Sequence, residues 1–117
     1  MTTAYRIKNW DEHFELAQSR PYKNLSWVKF PNRHDGKGFR RVSMHHRNSD
    51  LFTAWILIVQ VASKMKVRGL LVDDDGPLTA EDLADKTGFA EDIFLLAFEE
   101  LTKPRFRWLE VVADSML

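Results

Sequence analysis

Between Leu51 and Met65 the chain is apolar at nearly every position, broken only by Thr53, Gln60, Ser63 and Lys64. The run Trp55-Ile56-Leu57-Ile58-Val59 puts apolar side chains on every helical face. The pattern predicts a helix buried on most sides, capped by Asn48, Ser49 and Asp50 and ending near Met65 or Lys66. It is too short to span a bilayer, which needs about 20 apolar residues, so it reads as the central pillar of a core.

Helical periodicity returns after Leu78. Thr79 is an N-cap with Asp82 three residues on, the spacing of a capping box. Leu83 and Ala84 then face inward, and Thr87-Gly88-Phe89 makes a tight turn. A second helix is predicted from about Ala90 to Thr102. At 100° per residue, Ile93, Phe94, Ala97, Phe98 and Leu101 gather on its core side. Asp92, Leu95, Leu96, Glu99 and Lys103 fall on the opposite side.

The flanking segments are shorter. Asn9 precedes an expected helix over 10–19, with Asp11 and Glu12 in its first turn and Trp10, Phe14 and Ala17 on one face. Arg20-Pro21 ends it, because a residue before proline avoids helical angles. Leu25 to Phe30 is expected as a strand, and the turn formers from Pro31 to Gly38 lead to a returning strand over Phe39 to Met44. Gly69 to Val72 is a further short β-run, ended by the turn Asp73-Asp-Asp-Gly-Pro77. A last strand is expected over Arg105 to Val112. The whole chain, 1–117, is expected to be one domain: a basic N-terminal extension over 1–47 and a core over 48–112.

Composition narrows the chemistry. With no cysteine there is no disulfide framework, thiolate nucleophile or cysteine-held zinc. An intracellular, cytoplasmic setting is the expectation, and Met-Thr-Thr-Ala-Tyr-Arg is not a secretory signal. No P-loop, dinucleotide fingerprint or nucleophile elbow is present, so the expectation is a protein that is not an enzyme and needs no cofactor. His34-Asp35 and His45-His46 lack recognisable ligand spacing, and Asp73-Asp74-Asp75-Gly76 lacks the distal glutamate of a calcium loop. No metal site is expected.

The net charge of zero conceals a division. Residues 1–68 hold 13 Lys and Arg against 5 Asp and Glu, while residues 69–117 hold 4 against 12, so the halves carry +8 and −8. Either the basic half offers a nucleic-acid surface, or the two halves fold against each other.

The Leu78-Thr79…Leu83-Ala84…Thr87-Gly88-Phe89…Phe94…Leu101 pattern resembles the helix-turn-helix core of bacterial and phage regulators. Taken with the preceding apolar helix, Arg68-Gly-Leu-Leu71 and Trp108-Leu-Glu-Val111, residues 50–112 are similar to the winged-helix N-terminal domains of phage replication-initiation proteins. The resemblance implies a mostly α, α+β fold of winged-helix type, with roles in DNA binding, replisome assembly or transcriptional control. The chain departs from that pattern twice. Its second motif helix is acidic, with Glu91, Asp92, Glu99 and Glu100 and no Lys or Arg before Lys103, which opposes entry into a groove lined by phosphates. Little length also remains after Val112 for a second wing strand.

The stronger nucleic-acid signal lies between Arg20 and Arg47, with eight basic residues against Asp35 alone and with Tyr22, Trp27, Phe30 and Phe39 interleaved. Basic groups contact phosphate and aromatics stack on unpaired bases; alternatively the aromatics are core and the charges a solvated face. The expected phosphate contacts are Arg33, Lys37, Arg40, Arg41 and Arg47, with Arg105 and Arg107 adding to them near the wing. The expected partner is DNA. The alternative is a protein-contact module, in which Asp92, Leu95, Leu96 and Glu99 form a homodimer or meet a replication protein.

Overall fold

The computed structural model describes residues 3–15, 28, 30 and 37–112. In chain order these residues form β1 (Ala4–Ile7), α1 (Trp10–His13), α2 (Lys37–Ser43), α3 (Asn48–Ala62), β2 (Val72–Asp73), β3 (Gly76–Pro77), α4 (Ala80–Thr87), α5 (Glu91–Glu100) and β4 (Leu109–Val112). The fold is α+β, with two small antiparallel sheets beside the helices. No described helix is long and apolar enough to cross a membrane.

Helix α3 is the buried pillar that its sequence predicts, but Arg47 stands at its N-cap without a side-chain capping bond, Asn48 to Asp50 lie within its first turn, and it ends at Ala62 rather than near Met65. Leu51, Ala54, Trp55, Ile58, Val59 and Ala62 recur at spacings of three and four and are all buried. Against it α5 lays Phe94, Ala97 and Phe98, followed by Leu101, and α4 contributes Leu83. Each large apolar side chain removed from water in this way contributes about 1.5–3 kcal/mol. The capping box forms as expected: Thr79 Oγ1 accepts from the Asp82 N–H and the Asp82 carboxylate accepts from the Thr79 N–H. Gly88 closes α4 at a φ of 79°. The Asp73 to Gly76 turn is the tip of a two-residue hairpin, closed below by the Leu78 N–H donating to the Leu71 carbonyl.

Several expectations are corrected. Phe39 to Met44 is not a strand: Lys37–Ser43 is helical. Its apolar pair, Phe39 and Val42, is three residues apart, and only a helix brings both to one side. Phe39 meets Phe52 edge-on at 5.6 Å, and Val42 is buried. Only Val28 and Phe30 of the expected Leu25 to Phe30 strand are described, and neither is in a strand. The first helix is described only as Trp10–His13, with Phe14 as its C-cap. Asn9 stands at its N-cap with a φ of 55° but makes no side-chain capping bond. Residues 16–19 of the expected helix lie outside the described residues. The last strand begins at Leu109 rather than Arg105. Residues 103–107 instead form a turn, in which the Phe106 and Arg107 N–H groups both donate to the Lys103 carbonyl.

Strand β1 has no counterpart in the sequence-based expectations. It pairs with β4 in the register Ala4↔Val112 to Ile7↔Leu109. Its other edge meets the Leu70 segment: the Ile7 N–H donates to the Gly69 carbonyl and the Leu71 N–H to the Tyr5 carbonyl. The N-terminal strand therefore lies between the chain that leaves α3 and the chain that leaves α5. Tyr5 stacks on Phe98 at 4.1 Å, and Arg6 bonds Glu110 at 2.8 Å.

Candidate nucleic-acid interface

Helix α2 carries Lys37, Arg40 and Arg41 to the surface, where all three are exposed. Its acid-free sequence continues through Arg47, and the turn at Lys103-Pro104-Arg105-Phe106-Arg107-Trp108 is acid-free as well. Two contacts join these segments. The Arg41 guanidinium donates to the Arg105 carbonyl. Gly38 lies so close to Trp108 that a Cβ there would stand 2.7 Å from the indole Nε1. Only glycine leaves room for the ring at this point of α2. Trp108 is supported from behind by Trp55 at 5.0 Å and Phe106 at 6.3 Å.

The fold thus brings Lys37, Arg40, Arg41, Arg105 and Arg107 into one region, although Arg41 and Arg105 are 64 positions apart in the chain. Arg105 is exposed, its guanidinium 5.2 Å from the Phe106 ring centroid and 3.8 Å from Glu100. Arg107 is exposed with a left-handed φ of 49°. Arg33 lies outside the described residues.

Arg47 behaves differently from the other candidates. Its guanidinium bonds Asp50 at 3.2 Å and Asp92 at 2.8 Å. Asp50 first, and Asp92 after it, push this group further above its already high pKa. Arg47 is therefore occupied as a tie between the start of α3 and the start of α5.

Beneath the basic turn sits Glu100, which the sequence reading did not single out. His45 Nε2 lies 3.5 Å from one carboxylate oxygen, and Lys103 Nζ lies 3.0 Å from the other. The second oxygen is buried without a well-directed hydrogen bond, so its stabilisation is chiefly ionic. His45 Nδ1 accepts from the Arg47 N–H, which leaves Nε2 to carry the proton towards Glu100. Its ring also stacks on His46 at 4.5 Å. Lys103 chiefly, with His45 assisting and burial opposing, holds the Glu100 carboxyl below the ordinary value of 4.5. A carboxyl lowered by folding stabilises the fold above its unfolded value and loses that contribution as pH falls through the folded one. Below pH 4.5 the melting temperature is expected to fall less steeply with acid in Glu100→Gln than in the parent. Parallel curves would show that Glu100 is not linked to folding.

The residues expected at a protein interface divide as well. Leu95 is 53% exposed, and Asp92 and Glu99 are exposed. Leu96 is half-buried and packs against the core. Asp92 is the carboxylate that holds Arg47. Of the aromatics expected to stack on bases, Phe39 packs edge-on against Phe52, whereas Phe30 lies edge-on to Phe14 at 6.0 Å and is still 38% exposed. Tyr22 and Trp27 lie outside the described residues. No known protein family, curated protein or solved structure matches this chain.

Proposed function

We propose that this is a nucleic-acid-binding domain of winged-helix type, acting by binding alone, whose phosphate contacts lie on α2 and the 103–108 turn rather than on α5. One observation carries the reading: exposed Lys37, Arg40 and Arg41 on a helix that is fastened to the Arg105–Arg107 turn, with no acid in either segment. Such a surface suits a phosphate backbone, which is bound chiefly through Lys and Arg with release of counterions. Helix α5 is the wrong partner for phosphate, because Glu91, Asp92 and Glu99 are its exposed charges.

The winged-helix reading is supported by the order α3, Leu70 bridge, α4, turn, α5, β4, with the short β2–β3 hairpin inserted between the Leu70 bridge and α4. In that reading β1 fills, from the N-terminal side, the place between the first and last strands that a wing's return strand would take. The similarity to phage replication-initiation domains makes DNA the expected nucleic acid.

Lys37→Glu with Arg40→Glu tests the surface without touching the Arg41 contact. Two lost phosphate contacts and two added repulsions are expected to weaken binding to a labelled duplex by at least ~30-fold at low salt. The circular dichroism spectrum should not change, since both side chains are exposed. Equal affinity in parent and variant would remove this surface from consideration. A second reading, a protein-contact module, has the 53% exposure of Leu95 in its favour.

A further inference from the structure

We propose that the exposed face of α5 docks onto the α2 surface of a second copy of this chain, giving a head-to-tail, salt-sensitive association. Among the described residues, several exposed charges have no counter-charge within ion-pair distance in the same molecule. Arg6, Arg47, Arg68, Lys103 and Arg105 each lie within ion-pair distance of a carboxylate. Lys37 and Arg40 on α2, and Glu81, Asp85, Glu91 and Glu99 on α4 and α5, are exposed and take no ion pair among the described residues. The molecule is neutral overall, so two copies feel no net repulsion while presenting patches of opposite sign.

Each patch also carries an exposed apolar residue. On α5, Glu91, Leu95 and Glu99 follow at intervals of four and share one side of the helix, with Leu95 between two acids. At the end of α2, Met44 is 84% exposed and stands four residues beyond Arg40 and seven beyond Lys37. A leucine rimmed by carboxylates facing a methionine beside ammonium and guanidinium groups has the anatomy of a small interface, apolar at its centre and charged at its rim. Such a contact falls at the small end of interface sizes, with dissociation expected on the order of 0.1 mM.

The two patches differ, so the contact is heterologous: each copy offers one donor face and one acceptor face. That predicts a complementation which a symmetric dimer cannot produce. The full chain, treated with nuclease, is followed by sedimentation at about 20 mM and about 300 mM salt, since rim charges are screened at the higher value. At low salt the apparent mass of the parent should rise with concentration above 13.7 kDa, and at high salt it should return to that value. Lys37→Glu with Arg40→Glu should be monomeric alone, and so should Leu95→Lys with Glu99→Lys. Mixing the two variants should restore association, because each supplies the face that the other lacks. A parent that stays at 13.7 kDa at low salt overturns the proposal. So does self-association of the α2 variant alone, which would mark a symmetric contact through α5, or a mixture that remains monomeric. No nucleic acid is present, so these outcomes are independent of the nucleic-acid reading.

Discussion

Glu15→Ala is expected to destabilise the protein by about 3–5 kcal/mol, because it strips one partner from a buried ion pair. Glu15 Oε1 lies 2.6 Å from Arg68 Nη2, and the two side chains are 3% and 12% exposed. The other carboxylate oxygen accepts the Trp10 indole N–H at 2.7 Å. Removing the carboxylate leaves a guanidinium in a poorly solvated place and an indole donor without its acceptor, and each carries a desolvation cost. Typical domains hold only about 5–15 kcal/mol of stability in total, so the variant should unfold at much lower urea than the parent. The cost should depend on the partner: adding Arg68→Met to Glu15→Leu should cost less than Arg68→Met in the parent. A urea midpoint for Glu15→Ala close to that of the parent would mean that the pair is solvated and does not hold the N-terminal segment.

Gly69→Ala is expected to be nearly as damaging, at about 2–5 kcal/mol from a left-handed backbone and a steric clash together. Gly69 has a φ of 91°, and an added Cβ would lie 2.7 Å from both Cβ and Cγ of Trp10. The neighbourhood has little freedom to give way. The Gly69 N–H donates to the Ala62 carbonyl at the end of α3, and its own carbonyl accepts from Ile7 in β1. Trp10 is further held by Glu15 and by stacking on Phe14 at 5.0 Å. For a domain of this size the melting temperature should fall by roughly 10–20 °C. A fall of only a degree or two would show that Trp10 moves aside freely.

These two sites also mark where the sequence stops being legible. Helices α3, α4 and α5 announce themselves locally, through the apolar run from Leu51, the Thr79–Asp82 box and the Ile93-Phe94…Ala97-Phe98 spacing. Each of those signals is contained within a few turns of chain. Strand β1 is four residues long, and its pairing with β4 joins positions more than 100 apart, so nothing near Tyr5 announces it. The buried role of Glu15 depends on Arg68, 53 positions away. Helix α2 is hidden behind the turn formers from Pro31 to Gly38, which suggest a returning strand, and only the Phe39–Val42 interval of three marks it locally.

The candidate interface was legible in part. Lys37, Arg40, Arg41, Arg105 and Arg107 stand out by composition, but that they share one region follows only from the Arg41–Arg105 and Gly38–Trp108 contacts. Arg47 looks equivalent in sequence, yet one of its two carboxylates, Asp92, lies 45 residues away, and a distant partner of this kind leaves no local mark. Glu100 was missed for the same reason: His45 approaches it from the far half of the chain.

Fluorescence anisotropy of labelled single- and double-stranded DNA, titrated with the parent protein across a salt series, tests the central claim most directly. Engagement of Lys37, Arg40, Arg41, Arg105 and Arg107 predicts micromolar binding to duplex at low salt, with log affinity falling against log salt at a slope of about −3 to −5. No binding to either probe at low salt would contradict the account and leave the basic surface to protein contacts.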